Sequence, residues 1–302
     1  MTADATDDRG DGRAGLNRPQ DASSDDRGGD GRAGLNRPPH DEDPVARRSE
    51  RYVGFFDFAF TRFFGRSMRA MRVARWGMPE VPPGVPLVVY ANHPSWWDGV
   101  TFMLLARRLF PGREGFVPMD AAALEKYGFM RRIGVFGIEQ DSARGAVRFL
   151  RNAKRVLAAP SHMLWMNAPG RFADVRERPL PIAPGLARLP EIAPHAVFVP
   201  LALEYLFWTE RAAEALAAFG PTMTGEALLA LDRDARTERM RAELAAVMDR
   251  LAEDAIARDP ARFTDVVRAD EGMGGIYGRW QRIRSLLRGE RFDPRHDTRQ
   301  SR

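Results

Sequence analysis

The sequence predicts an α/β layered fold, a largely parallel central sheet flanked by helices. Three observations carry this. From Pro86 onward, short apolar runs of β type alternate with longer helical patterns. The chain has 302 residues, 44% of them hydrophobic, enough for one large core with tails. The last third carries Met240, Leu244, Val247 and Leu251 at helical spacing, a packing face rather than a further run of strands.

Residues 1–45 read as a disordered tail. The segment DDRGDGRAGLNRP at Asp7–Pro19 returns as DDRGGDGRAGLNRP at Asp25–Pro38. With hardly any large apolar side chain it cannot offset its ordering entropy, and two copies make a duplication, not a solenoid.

Residues 46–80 form an amphipathic helical region. Between Arg51 and Gly77, Phe56, Phe60, Phe63, Phe64, Met68 and Met71 follow one helical stripe; Arg62, Arg66, Arg69 and Arg72 follow another. This suits a helix lying among lipid headgroups or one packed on its own protein, and a single helix can do both.

The core, residues 81–270, alternates. Strands are expected at Leu87–Ala91, Gly115–Met119, Val135–Ile138, His162–Met166 and Ala196–Glu204. Helices are expected at Trp97–Phe110, at Ala121–Arg132 and at Ser142–Ala158, with Ser142 as cap. The C-terminal third is read as helical. Residues 271–302 are a basic tail, with a glycine-rich hinge at Gly272–Gly278 and basic residues at Arg279–Arg291.

Composition narrows the chemistry. Absence of cysteine excludes disulfides, cysteine nucleophiles and cysteine-held zinc or iron–sulfur centres. The balance of 46 basic to 41 acidic residues, net +5, suits a phosphate-bearing or anionic-membrane partner and is too weak for nucleic acid. No stretch reaches the roughly 18 apolar residues of a spanning helix, and no secretory signal is visible. The expected location is cytoplasmic, peripheral on the inner face of the cell membrane.

The sharpest local signal is VVYANHPSWWDG, Val88–Gly99. An apolar strand ends and delivers Asn92 and His93 into a loop, and Asp98 opens a helix. Carboxyl ends of strands are where open α/β sheets build their sites. An imidazole titrating near neutrality suits a general base for a hydroxyl, and a carboxylate bonded to one ring nitrogen fixes the tautomer. The plain alternative is a loop histidine capping a helix. Trp96 and Trp97 line a groove, enter lipid, or divide between core and surface. His162 and His195 read as structural.

The NHxxxxD string at Asn92–Asp98 resembles the first block of the glycerolipid and lysophospholipid acyltransferase superfamily, the 1-acylglycerol-3-phosphate O-acyltransferase-like group. Further blocks follow in order across Pro82–Tyr205. The resemblance implies a glycerol-3-phosphate acyltransferase-like fold over residues 81–270, His93 as general base and Asp98 as its orienting partner, with no metal and no cofactor. Acyl-CoA or acyl carrier protein would serve as the thioester donor, a lysophospholipid or related lipid as acceptor, in phospholipid biosynthesis.

The second block, GVFGIEQ at Gly134–Gln140, has Gln140 where relatives often carry a phosphate-holding arginine; Arg144 is the candidate substitute. In the third, Asn167–Arg171 stands where many relatives read Pro-Glu-Gly-Thr-Arg. Gly170 and Arg171 remain, and Pro169 takes the glutamate position. Arg171 is either a ligand fork or a surface ion pair. The fourth, VFVPLALEY at Val197–Tyr205, places Pro200 near the acyl pocket or simply in a core strand, at a sheet edge or bulge. Asn92, Gln140, Arg144, Gly170, Arg171 and Pro200 are the expected substrate-binding residues. The altered blocks point to a divergent acceptor, a non-standard lysolipid or another lipophilic alcohol. Two other classes stay open: a thioester or ester hydrolase using the same pair, though without a G-x-S-x-G elbow, and a non-catalytic membrane-surface lipid-binding protein.

Overall fold

The computed structural model describes residues 43–208 and 210–268. A short helix α1 (Pro44–Arg47) and a long helix α2 (Glu50–Ser67) run directly into strand β1 (Met68–Ala74). Next come β2 (Leu87–Ala91), α3 (Asp98–Leu109), β3 (Glu114–Asp120), α4 (Ala121–Lys126), β4 (Val135–Ile138), α5 (Ala143–Val156) and β5 (His162–Asn167). The last part comprises α6 (Pro184–Ala187), α7 (Leu189–Ile192), β6 (Val197–Leu206), β7 (Ala213–Phe219), β8 (Met223–Thr224), α8 (Gly225–Leu229), α9 (Arg233–Ala257) and β9 (Phe263–Arg268).

Among the described residues the strands form one sheet in the order β4-β3-β5-β2-β6-β7-β1-β9, with β8 beside β6. The run from β4 to β6 is parallel, as is β1 with β7; β6–β7, β1–β9 and β6–β8 are antiparallel. Helices cover both faces, which is why LVVYA in β2 is buried at every position. Val88 and Tyr90 join the layer of α5 and α9, where Met240, Leu244, Val247 and Leu251 are buried as their spacing predicts. Leu87, Val89 and Ala91 face the layer of α2 and α3. Ser142 caps α5, its Oγ accepting from the Gly145 N–H at 2.9 Å.

Several sequence expectations differ from the structure. The helix expected to run on past Ser67 stops there, because Met68, Ala70, Met71, Val73 and Ala74 are buried as strand β1 between β7 and β9. Arg72, placed on a headgroup-facing stripe, instead bonds Glu214 at 2.5 Å and Asp265 at 2.6 Å inside the protein. Residues 68–74 therefore belong to the main sheet, and the boundary expected at residues 80 and 81 lies on the connection between two of its strands.

The C-terminal third also contains strands. AEALAAF has a helix former's composition, but its side chains are buried on both faces as β7, where neighbouring strands override propensity. The helix expected over Ala121–Arg132 breaks after Lys126 into a 3₁₀ segment, Gly128–Ile133. Pro200 lies in β6 at the centre of the sheet, not at an edge. Its carbonyl accepts from the Gly220 N–H at 2.9 Å, so its ring nitrogen faces the turn between β7 and β8, where no ladder bond is needed. The duplicated tail, apart from its last few residues, and the segments Gly272–Gly278 and Arg279–Arg291 lie outside the described residues.

Candidate active site

β2 ends at Ala91 between two parallel neighbours, β5 and β6, and both help build the loop beyond it. The amide of Asn92 donates to the Leu203 carbonyl and accepts from the Leu203 N–H, each at 2.8 Å. Both ends of that buried side chain are therefore committed to backbone. Asn92, expected to bind substrate, instead pins the start of the loop to β6.

His93 comes next, its carbonyl accepting from the Ala173 N–H at 2.9 Å. Pro94 turns the chain, Ser95 Oγ accepts from the Trp97 N–H at 3.2 Å, and Asp98 becomes the first residue of α3. An acid there is favoured by the helix dipole. The turn brings His93 Nδ1 to 2.5 Å from Asp98 Oδ2. A carboxylate only accepts, so Nδ1 carries the hydrogen and Nε2 carries the lone pair.

Asp98 is fully buried yet well partnered. Tyr205 donates its hydroxyl to Oδ1 at 2.8 Å, and the Ser95 N–H approaches Oδ2 at 3.4 Å. Burial pushes the carboxyl above its ordinary range, and the bonds from His93, Tyr205 and Ser95 oppose that rise. Tyr205 is itself pushed well above its usual value, by burial first and by Asp98 second.

On its other side the imidazole meets Asn167, the last residue of β5, whose Nδ2 donates to Nε2 at 3.3 Å. Phe172 stacks on the ring with centroids 4.2 Å apart. The imidazole thus remains 17% exposed between a polar cap and an aromatic wall. Tyr205, Asn167, Thr101 and Phe172 were missed in the sequence. For Asn167 and Tyr205 the signal is their position at the ends of β5 and β6, once those strands are set beside β2; Thr101 lies one turn into α3 and Phe172 in the loop after β5.

The remaining candidates divide. Gln140 donates to the Gly170 carbonyl at 3.3 Å, joining the second and third blocks. Gly170 takes φ +70, a conformation that favours glycine, and a Cβ there would come within 3.2 Å of Ala183 Cβ. Arg171 is held by Glu177 through both guanidinium nitrogens, and also donates to the Phe172 carbonyl at 3.0 Å. The surface ion pair is therefore the arrangement present. Arg144 is exposed in the first turn of α5. Pro200 is buried inside the sheet, packed near Gly220.

Aromatic side chains continue outward from the site. Phe63 of α2 stacks on Trp97 at 4.9 Å and meets Trp96 edge-on at 6.2 Å. Trp96, Phe172, Phe55 and Phe58 are 58–67% exposed. Arg51, Arg62 and Arg66 are exposed on the same helix.

A cleft of about 470 Å³ opens at the opposite, N-terminal ends of β2, β3 and β5, lined by Val81, Phe110 and Arg113 among others. Arg113 donates to the carbonyls of Pro82, Val85 and Pro160, so it closes the structure there. Among the described residues no group of three or more His, Cys, Asp or Glu is placed to hold a metal ion. No helix among them is long and apolar enough to cross a membrane.

No family model matches this chain, and no curated protein matches it. Among solved structures it is similar to the crystal structure of the 1-acyl-sn-glycerophosphate (LPA) acyltransferase PlsC from Thermotoga maritima. The TM-score is 0.43 at 14% identity, covering 69% of this chain and 80% of that one.

Proposed function

We propose that this chain is an O-acyltransferase that moves a fatty acyl group from acyl-CoA or acyl carrier protein to a lipid hydroxyl. The observation that carries the reading is His93 Nδ1 held at 2.5 Å by a buried Asp98, with the lone pair of Nε2 facing the Asn167 amide and Phe172 stacked on the ring face. The acceptor hydroxyl displaces or shares the Asn167 amide and gives its proton to Nε2. Its oxygen attacks the thioester carbonyl carbon. The C–S bond breaks, and the departing thiolate takes the proton back from the imidazolium. Asp98 stabilises that imidazolium. Such proton transfer contributes on the order of 10²–10⁴ in rate, and positioning two substrates contributes more.

The acceptor proposed is a lipophilic alcohol or lysolipid of low headgroup charge. With Gln140 bonded to Gly170 and Arg171 engaged by Glu177, the loop beside His93 offers no free guanidinium fork to a phosphate. Catalysis is proposed to occur at a membrane surface on the cytoplasmic side. Exposed Phe55 and Phe58 would enter the headgroup region, with Arg51, Arg62 and Arg66 beside them to meet anionic lipid.

The test is acyl transfer by the purified full chain, using labelled acyl-CoA and a panel of lysolipids and long-chain alcohols, with products read by mass spectrometry. His93→Ala is expected to lower transfer by about 10²-fold or more. Transfer that survives this change intact refutes the assignment; release of free fatty acid in place of an acylated alcohol refutes transferase in favour of hydrolase.

A further inference from the structure

The proton affinity of a histidine depends on how strongly its carboxylate partner accepts, and that depends on what else the carboxylate holds. Strand β6 runs parallel to β2 and extends past its end, and Asn92 grips it at Leu203. Two residues further on, Tyr205 falls on the same side of the sheet, the side covered by α3. Its hydroxyl lies 2.8 Å from Asp98 Oδ1 and 2.9 Å from Thr101 Oγ1. A phenol has one hydrogen. Since the carboxylate can only accept, that hydrogen goes to Asp98, and Thr101 must supply its own to the phenol oxygen. Thr101 and Asp98 are completely buried, and Thr101 is one turn along α3 from Asp98. The result is a directed chain: Thr101 to Tyr205 to Asp98, with His93 donating to the other carboxylate oxygen.

We infer that Tyr205 is a positioning residue for the His93–Asp98 pair: it fixes the carboxylate and weakens it as an acceptor, and so lowers the affinity of His93 for a second proton. Thr101 orients the phenol. Among the described residues no other titrating group joins this hydrogen-bond relay. Glu204 and Glu214 project to the opposite face of the sheet, with Glu214 bonded to Arg72. Helix α2 brings Phe63 and Phe64 to this end of α3. Its acids Glu50 and Asp57 sit at the other end, bonded to Arg107 and Arg108. From β5 and the loop after it come Asn167 and Phe172, neither of which titrates. The catalytic consequence rests on the reading of His93 as base; the coupling itself does not.

The direction is set by the donor. Removing the phenol hydrogen leaves Asp98 a stronger acceptor for Nδ1–H, which favours the imidazolium, so the His93 midpoint rises. The rise is expected in Tyr205→Phe, where the whole bond to Asp98 is lost. Thr101→Val should raise it less. At neutral pH kcat should fall about 3–10-fold with KM nearly unchanged, and the loss should shrink as pH increases past the new midpoint.

The experiment is an NMR titration of the imidazole resonances in the full chain, with His93 assigned through His93→Gln, and acyl transfer measured alongside. A raised midpoint in both variants is the expected result. A midpoint within about 0.2 unit of the unaltered protein in both overturns the inference, even if Tyr205→Phe melts earlier. Thr101→Val keeps the shape and removes only the donor, so it carries the test should Tyr205→Phe not fold. A shifted midpoint in a protein that transfers no acyl group upholds the coupling and refutes the acyl-transfer reading. An unshifted midpoint beside intact transfer does the reverse.

Discussion

Replacing Asp98 by asparagine should separate stability from activity, because the two depend on this carboxyl with opposite sign. Tyr205 would still donate to the oxygen of the new amide, as it does to Oδ1 at 2.8 Å. The amide nitrogen would then face His93 Nδ1, which now sits 2.5 Å from the carboxylate. Two N–H groups cannot point at each other, so the imidazole must move its hydrogen to Nε2. The lone pair then leaves the side where a hydroxyl has to arrive, and a proton meets the Asn167 amide instead. The expected loss in kcat is about 10²–10⁴, equivalent to about 2.7–5.4 kcal/mol of barrier.

Stability should go the other way. Burial raises the Asp98 carboxyl above its ordinary range, so the folded chain holds that proton more tightly than the unfolded chain does. The stabilising contribution is present at low pH and is lost as pH rises through the folded value; at neutrality the buried anion is a net penalty. Asp98→Asn should therefore melt at or above the temperature of the unaltered protein at pH 8, and the difference should close as pH falls toward the carboxylate range. Thermal melts at pH 8 and pH 4.5, set beside acyl transfer at pH 8, check both halves. Transfer retained within about threefold would refute the tautomer argument, and a melting point several degrees lower at pH 8 would refute the electrostatic one.

Two further outcomes are expected. Phe55→Asp combined with Phe58→Asp should lower partition into phosphatidylglycerol vesicles by about 10²–10⁴, from about 1.5–3 kcal/mol for each aromatic ring withdrawn; undiminished co-flotation would show that this face of α2 does not meet lipid. Arg171→Ala should change kcat/KM by less than about threefold for an uncharged acceptor, since an exposed pair with Glu177 contributes little; a loss above about 30-fold would mean that the guanidinium leaves Glu177 to hold substrate.

Much of this was legible along the chain. The strand bounds of β2 and β4, the capped start of α5 and the buried stripe of α9 come from apolar patterning and a serine cap, which are local signals. The meeting of His93 with Asp98 was legible too, since five residues and a proline turn suffice. What was not legible comes from contacts distant in sequence. Tyr205 reaches Asp98 across 107 residues and Asn167 reaches His93 across 74, and no periodicity records that β5 and β6 flank β2. Asn92 misled because its amide looks like a ligand group until Leu203 is set opposite it. The helix read past Ser67 misled because Arg69 and Arg72 keep helical spacing, while their acidic partners lie in β7 and β9 and just before β7.

The passage from α2 into β1 without an intervening loop makes the aromatic helix an inseparable part of the domain. Arg72 binds Glu214 and, 193 residues away, Asp265, so the strand that completes one flank of the sheet can seat only when distant parts of the polypeptide are both present. Trimming the chain back to residue 77 would strip out the strand between β7 and β9 along with the lipid-facing surface. Loss of vesicle binding by such a fragment would then be indistinguishable from misfolding, whereas single exchanges on the outer side of α2 leave the architecture intact.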